Sequence, residues 1–268
     1  MEELEKLQRI YELYNEYKEF EEQMGSMLWS ALDTKSMEKG VEKMEQKSRK
    51  FPKPLKAMSV FQAVDSKIAS FKEGIPLILS LKNDAMKPRH WEALMEMTGI
   101  KIDMNPATFT LQNLIAMELA RYQEGIDEIV VQASNERKIE EELKSVDEVW
   151  KNTKFNLIKY VKAGGGDARG YVLGSAEDIK LELEDNMLNL GAMSASRFVG
   201  PFAERVRKWE KSLNLVTEVM DIWFVVQRKW QYLESIFIGA EDIRQQLPEE
   251  AKKFDAIDKA FIKTMSET

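Results

Sequence analysis

The longest apolar stripe of the sequence lies between Pro201 and Gly239, a stretch that contains no proline or glycine. Its apolar residues recur at intervals of three and four, which is the period of one face of an α-helix. The stripe consists of Phe202, Val206, Trp209, Leu213, Val216, Met220, Trp223 and Trp230. It predicts one helix of about 36 residues that ends near Phe237, roughly 54 Å long at 1.5 Å per residue. A helix of that length is typical of an elongated all-α bundle with long antiparallel helices.

Helical periodicity also covers most of the remaining chain. It predicts helices over residues 4–31, 33–50, 56–72, 76–81, 89–97, 111–150, 175–190, 241–246 and 248–265. The first of them is defined by Ile10, Leu13, Tyr17, Phe20, Met24, Met27 and Ala31. Aromatic residues and methionines are poor core residues for a free two-stranded coiled coil, so this stripe favours packing within a bundle.

Prolines and glycines mark where several of these helices are expected to end. Pro52 and Pro54 end the second helix, because each disfavours a helical conformation at the residue before it. Gly74 and Pro76 separate the helix over 56–72 from the short one over 76–81. The helix over 56–72 is defined by Val60, Val64, Ile68 and Phe71. Residues 100–109 are expected to form a loop that caps the next helix.

The region between residues 111 and 190 contains the one change of period. The pattern over 111–150 leaves open whether there is one helix or two that are broken near Ser134 and Asn135. Two β-rich runs, at 155–160 and 171–173, flank a glycine-rich loop and predict a β-hairpin, the only sheet expected. Ser175, followed three residues later by Asp178, resembles a capping box at the start of the next helix.

The composition argues against several kinds of catalytic site. The chain has no cysteine, which excludes disulfides, thiolate metal sites and cysteine nucleophiles. His90 is the sole histidine, which argues against a zinc enzyme. The net charge, 39 − 46 = −7, is opposite in sign to that of typical nucleic-acid-binding domains. We therefore expect a helical protein without an enzyme active site and without a nucleic-acid partner.

The sequence also carries no recognisable targeting signal. The longest apolar run, within residues 75–81, is far shorter than the roughly 20 residues that span a bilayer. The first residues lack the basic and apolar regions of a signal peptide. With the absence of cysteine, this predicts an intracellular, reducing location such as the cytoplasm, and no membrane contact. Both ends carry a helical pattern instead of a polar tail, which predicts a piece of a longer chain.

Three motifs resemble ligand or catalytic sites. Residues 164–170 are rich in glycine but lack the Gly-Lys-Ser/Thr of a phosphate-binding loop, so a hairpin tip is the favoured interpretation. A calcium loop beginning at Asp103 is excluded, because Ala107 and Leu114 stand where oxygen ligands are needed. His90 has no local partner pattern and is interpreted as a packed or surface residue. The sequence therefore assigns no catalytic, cofactor-binding or metal-binding residue.

One basic segment, residues 35–56, is a candidate electrostatic contact. Its basic residues are Lys35, Lys39, Lys43, Lys47, Arg49, Lys50, Lys53 and Lys56. Against three glutamates they give a local net charge of +5 in a chain of −7. Met37, Val41 and Met44 are predicted to face the bundle. The first seven basic residues are the candidate contact with an acidic partner surface, and an ordinary solvated helix face is the commoner alternative.

Several unusual strings occur together in this sequence. They lie at residues 75–84 (IPLILSLKND), 89–92 (RHWE), 109–114 (FTLQNL), 117–119 (MEL), 170–174 (GYVLG), 183–186 (LEDN), 227–237 (QRKWQYLESIF), 242–244 (DIR) and 247–250 (LPEE). With them the chain resembles the N-terminal part of the linker of dynein heavy chains, over residues 60–268. The hairpin strings are similar to the axonemal branch, and an inner-arm heavy chain is the hypothesis. On this resemblance, residues 1–55 belong to the end of the stem and 56–268 to the linker.

The resemblance implies a role as well as a fold. The linker is a helical rod that lies across the AAA+ ring and acts as a lever for ciliary or flagellar motility. ATP and magnesium belong to that ring, so no cofactor is expected within this chain. The implied partners are the remaining linker and the ring, with the microtubule surface or axonemal subunits as further candidates. The alternative is a free-standing helical scaffold or a microtubule-binding module that uses residues 35–56.

Overall fold

The structure, a computed structural model, describes residues 2–117, 119–161 and 166–267. Within these residues the chain folds into eleven α-helices and one two-stranded antiparallel hairpin. The prediction of an all-α fold with one small hairpin is confirmed. The chain divides into two compact units, Met1–Arg137 and Lys138–Thr268. None of the helices in the described part of the chain is both long enough and apolar enough to cross a membrane.

The first unit has one hydrophobic core, to which its long helices contribute. Its helices are α1 (Glu2–Gly25), α2 (Thr34–Arg49), α3 (Lys53–Lys56), α4 (Ser59–Leu81), α5 (Pro88–Thr98), α6 (Leu111–Ile115) and the beginning of α7 (Gln123–Asn152). Ile10 of α1, Met37 of α2 and Ile68 of α4 are fully buried in the same cluster. Residues 1–55 thus share a core with the chain that follows. The predicted division at residue 55 concerns regions of a protein family, and it stays a prediction.

Helix α4 corrects the prediction of two helices separated near Gly74 and Pro76. It runs unbroken from Ser59 to Leu81 with Pro76 inside it. An interior proline costs about 3 kcal/mol, since it lacks the N–H for the helical hydrogen bond. Four side chains around it are buried: Ile75, Leu77, Ile78 and Leu81. Each stabilises by about 1.5–3 kcal/mol on burial, so together they outweigh the proline.

The apolar face of α4 is also shifted by one residue at its start. Val60, predicted to be inward, is 44% exposed, whereas Phe61 is 3% exposed. Phe61, Val64, Ile68 and Phe71 follow intervals of three, four and three, which keep one helix face in the core.

Helix α1 ends at Gly25, earlier than the predicted stripe. Ile10, Leu13, Tyr17 and Met24 are buried as expected, but Met27 and Ala31 lie beyond the helix. The chain after Gly25 pairs with the loop before α6: Trp29 N–H donates to the Phe109 carbonyl over 2.8 Å, and Leu111 N–H to the Met27 carbonyl over 3.1 Å. These long-range hydrogen bonds replace the helical ones, which is a tertiary effect that local periodicity does not contain.

The helical segment 111–150 is broken after Ile115 and not near Ser134 and Asn135. Helix α6 ends at Ile115, a 3₁₀ turn covers Leu119–Tyr122, and α7 then runs continuously through Ser134. Met117 and Leu119 are both buried. Both residues thus contribute to the first core from the stretch between α6 and α7.

The second unit contains the hairpin and the longest helix. Its elements after α7 are β1 (Leu157–Val161), β2 (Ala168–Leu173), α8 (Glu177–Ala195), α9 (Ala203–Phe237), α10 (Glu241–Gln246) and α11 (Pro248–Glu267). Leu157 pairs with Leu173 and Tyr160 with Gly170 in the antiparallel ladder. The predicted hairpin, the helix over 241–246 and the final helix are therefore confirmed.

Helix α8 begins without the predicted capping box. Ala176 occupies the cap position and no side chain bonds the free amides there. Glu177 and Asp178 lie in the first turn, where negative charge is favourable for the helix dipole. The helix also continues past Gly191 to Ala195, because Met193 on that last turn is buried.

Helix α9 confirms the stripe between residues 202 and 237. It has 35 residues, about 52 Å at 1.5 Å per residue. Val206, Leu213, Met220 and Trp230 are buried. Three further members of the stripe, Trp209, Val216 and Trp223, are only partly buried and pack at the edges of the cores.

Candidate functional site

The first five basic residues of the segment, from Lys35 to Arg49, lie on α2 as predicted, and the apolar face of α2 is inward. Met37, Val41 and Met44 are buried in the first core. Asp33 caps the helix by accepting hydrogen bonds from the amides of Lys35 and Ser36, at 3.0 and 3.3 Å. The hydroxyl and amide of Ser36 also lower the pKa of Asp33. The lysines spaced by four residues therefore project from one well-defined helix face.

Part of the predicted basic surface is neutralised by ion pairs. Lys47 pairs with Glu16 of α1 at 2.5 Å. Glu45 accepts from both Lys72 and Arg49 at 2.7 Å. The hydrogen bond from Lys72, followed by that from Arg49, lowers the pKa of Glu45. Lys47 thus links α2 to α1 and Glu45 links it to α4, whereas the pair of Arg49 with Glu45 lies within α2.

The remaining predicted residues form a smaller patch, which we call the α2 lysine surface. It consists of Lys35, Lys39 and Lys43 of α2, Lys50 directly after that helix and Lys53 of α3, all exposed. Lys56 is only partly exposed and donates from Nζ to the Arg49 carbonyl over 2.9 Å. The first three lie one helical turn apart on the same face of α2. Five of the seven candidate residues are therefore exposed cations.

His90 belongs to a buried polar cluster centred on Glu136. The carboxylate of Glu136 accepts from Arg89 Nε at 2.6 Å and from Gln132 Nε2 at 2.7 Å, and it lies 3.0 Å from His90 Nε2. His90 Nδ1 accepts the backbone N–H of Lys87 at 3.0 Å. Because Nδ1 accepts a hydrogen bond, the ring proton lies on Nε2, which donates a hydrogen bond to Glu136. Both ring nitrogens are engaged in structural hydrogen bonds, which confirms the interpretation of His90 as a packed residue.

Glu136 is ionised within this cluster. Burial by itself would raise its pKa, but hydrogen bonds from Gln132 and Arg89 outweigh that effect, so the pKa lies below its ordinary value. Sequence reasoning missed this cluster, because 46 residues separate His90 from Glu136. The available signal was a glutamate on the apolar face of α7, three residues after Ala133 and three before Ile139.

A second buried network joins the hairpin to α9 and α11, and Arg169 is its centre. Arg169 Nη1 donates to Glu234 Oε1 at 2.8 Å, and Nη2 donates to Asp258 Oδ2 at 2.7 Å. Trp230 Nε1 donates to the other oxygen of Asp258 at 3.1 Å, and the Tyr160 hydroxyl to Glu234 at 3.2 Å. One guanidinium thus connects three elements of the second unit. We call these five residues the Arg169 network.

Charge and backbone geometry both support this network. Burial would lower the pKa of Arg169, but the hydrogen bond that Arg169 donates to Glu234 and the charge of Asp258 raise it. Burial, followed by the charge of Glu234, raises the pKa of Tyr160. Gly170 next to the arginine has φ of +139°, a conformation that side-chain-bearing residues rarely adopt.

Gln227 of α9 holds the same hairpin by its backbone. Its Nε2 donates to the Leu173 carbonyl at 2.9 Å, and its Oε1 accepts from Leu173 N–H at 2.8 Å. The side-chain amide therefore satisfies both backbone groups of a buried strand residue, as another strand would.

The remaining motifs do not form ligand sites in the described residues. Asp103 accepts from Asn105 N–H and from the Thr108 hydroxyl, which closes a local turn. Gly164 and Gly165 of the glycine-rich loop lie outside the described residues. Within the described part of the chain, no group of three or more His, Asp or Glu side chains could hold a metal ion.

Comparison with known proteins gives a consistent set of matches. The family model for the dynein heavy chain, N-terminal region 2, matches residues 1–268. The chain is 49% identical over 247 residues to dynein axonemal heavy chain 10 of Homo sapiens. It is 48% identical over 246 residues to the dynein-1-alpha heavy chain of the flagellar inner arm I1 complex of Chlamydomonas reinhardtii. It is 32% identical over 240 residues to the dynein alpha chain of the flagellar outer arm of that organism. These alignments cover 90–92% of the chain but only 5% of each relative.

Proposed function

Because the chain belongs to the dynein heavy chain family, in its N-terminal region 2, we propose that it is a lever segment of an axonemal motor. In this proposal residues 56–268 form the N-terminal part of the linker and residues 1–55 the end of the stem. An inner-arm heavy chain of the dynein-1-alpha type is favoured by 48% identity to that inner-arm relative, whereas the dynein-1-beta chain of the same complex, at 33%, is about as similar as an outer-arm chain at 32%. The proposed location is the ciliary or flagellar axoneme.

The main observation in support of the proposal is that buried hydrogen bonds hold α9 against its neighbouring elements. This helix has 35 residues without a break, and the Arg169 network and Gln227 fasten its C-terminal half to the hairpin and α11. A lever must transmit displacement without bending, and buried multi-element hydrogen bonds resist bending. Hydrolysis of ATP, with its magnesium, is assigned to the AAA+ ring elsewhere in the heavy chain, and the ring and remaining linker are the proposed partners.

The lever proposal predicts that softening α9 uncouples motion from ATP turnover. In a full-length heavy chain, exposed Lys208, Lys211 and Glu218 would all be replaced by glycine, and in a matched control all by alanine. Glycine costs about 1 kcal/mol more than alanine at each helical position and loosens the backbone. We expect the glycine variant to glide microtubules more slowly at an unchanged ATPase rate, while the alanine variant keeps both. Equal gliding velocities of two folded variants would contradict a lever role for α9.

A second proposed function, contact with an acidic partner such as the microtubule, is favoured by the α2 lysine surface. Reversal of Lys35, Lys39 and Lys43 to glutamate should abolish cosedimentation of the chain with microtubules at low salt. Cosedimentation of the parent chain should also vanish at several hundred millimolar salt, because exposed charges are screened over about 8 Å at physiological ionic strength. Lys47 is left intact, since its reversal would break the pair with Glu16.

The matched control for this surface reverses three exposed lysines of α9, Lys208, Lys211 and Lys229. It changes the net charge by the same amount on another surface, so it should leave cosedimentation largely intact. If the α2 variant cosediments as well as the parent, or the parent never does, the surface is a solvated helix face. A free-standing scaffold would then remain the alternative to the lever.

A further inference from the structure

An apolar groove runs between α9 and α11 on the second unit, with a volume of about 410 Å³. We define it by Val219, Ile222 and Val226 of α9 and by Ile257, Thr264 and Met265 of α11. Ile222 is 65% exposed and Ile257 is 49% exposed, although both are large aliphatic residues. Contiguous exposed apolar side chains of this kind mark interaction sites in soluble proteins.

The chemistry of the groove excludes an electrostatic partner. No charged side chain occurs among the described residues that line it. Its polar member, Thr264, donates its hydroxyl to the Ala260 carbonyl over 3.0 Å within α11. The groove therefore offers apolar contact alone, which suits the apolar face of an amphipathic helix laid between two helices.

The dimensions of the groove argue against a second copy of the chain. On α9 it extends from Val219 to Val226, about 10 Å at 1.5 Å per residue. A stable dimer buries about 800 Å² on each partner, far more than a strip two turns long supplies. A helix of the same heavy chain needs less area, because a short connection gives it a millimolar effective concentration.

We propose that the groove binds an amphipathic helix of the same heavy chain, from the segment that follows residue 268. This inference rests on the proposed function, in which the chain is part of a longer heavy chain, as its 5% coverage of each relative suggests. Thr264 and Met265, which line the groove, lie on the last turns of α11. A connection of two to eight residues, usual between packed helices, brings a following helix back over the groove.

The absence of cysteine from this chain makes thiol labelling a direct test. Ile222→Cys would be introduced into the 268-residue chain and into a chain extended by its native downstream sequence, with any cysteines of the extension replaced by serine. We expect labelling of that thiol to slow at least about tenfold in the extended chain, equivalent to docking favoured by about 1.4 kcal/mol. The matched control, Leu188→Cys, lies at a site on α8 that is 73% exposed and should label equally in both chains.

A second variant shows whether apolar contact causes the protection. With Ile257→Cys as the reporter in the extended chain, Ile222→Asp should restore fast labelling, whereas Leu188→Asp should not. Equal labelling rates in the two chain lengths would overturn the proposal. So would protection in the 268-residue chain that grows with its concentration, since a second copy would then be the occupant. Labelling reports docking alone, so its failure is distinguishable from a failure of the gliding test.

Discussion

Replacement of Glu136 by alanine should lower the free energy of unfolding of the first unit by about 3 kcal/mol. Breaking a buried ion pair by removing one partner typically costs about 3–5 kcal/mol, because the other partner is left without compensation. The lower end applies here, since the Arg89 side chain is 40% exposed and can turn toward water. The change is measured by urea denaturation, with a spectroscopic signal that reports the unfolding of the first unit.

The control for this substitution is Glu128→Ala, at an exposed position on the same helix. Its effect should stay within about 0.5 kcal/mol, as is usual for surface substitutions. Equal effects of the two variants would mean that the Glu136 cluster contributes no more than a solvated glutamate.

The same cluster predicts a dependence of stability on pH. Because the folded-state pKa of Glu136 is lowered, its contribution is fully present above the unfolded-state value of about 4.3. The contribution is lost as the pH falls through the lowered folded-state pKa. Glu136→Gln should therefore reduce the loss of stability in acid relative to the parent chain. An unchanged acid limb in the denaturation curves would contradict the assignment.

Trp230→Ala should destabilise the second unit by about 3–5 kcal/mol, the usual cost of truncating a buried aromatic residue. Trp230 is 1% exposed, stacks on Phe261 with ring centroids 4.3 Å apart, and donates to Asp258. The control is Tyr232→Ala on the same helix, since Tyr232 is 68% exposed. Thermal melts of both variants give the comparison, and a Trp230→Ala melt that overlays that of Tyr232→Ala would contradict this packing.

Trp209 illustrates why the spacing of apolar residues alone does not predict how much stability each truncation costs. It lies on the predicted face of α9 but is only partly buried, with its indole N–H donating to Asp147 at 2.8 Å. Its truncation is expected to cost less than that of Trp230. Periodicity identifies the face of a helix, whereas the depth of each residue depends on which neighbouring helix lies over it.

The sequence predicted those elements whose boundaries are set locally. Helix α9 lies between a proline and a glycine with an uninterrupted stripe, and α10 was predicted at its observed limits, Glu241–Gln246. The prediction from the sequence was wrong where contacts with distant residues determine the ends of a helix. Pro76 stays helical because buried neighbours outweigh it, and α1 stops because the chain after Gly25 bonds to the loop at Phe109.

The candidate site could likewise be predicted only in part from the sequence. The α2 lysine surface was visible from spacing alone, because residues four apart share a helix face. The pairing of Lys47 with Glu16, 31 residues away, was not. Arg169 lies within the glycine-rich stretch 164–170, where no local pattern marks it as the centre of a buried network. Its partners lie 65 and 89 residues further along the chain, beyond the reach of any local pattern.

That separation has a consequence for synthesis on the ribosome. An isolated two-stranded hairpin is marginally stable in water, and Arg169 reaches its second partner, Asp258, only 89 residues later. At about 5–20 residues per second, the hairpin therefore waits roughly 5–20 s before α11 exists to receive it. Until then the hairpin can gain contacts only from α9, such as those of Gln227 with Leu173, so it reaches its full stability after α11 has been synthesised.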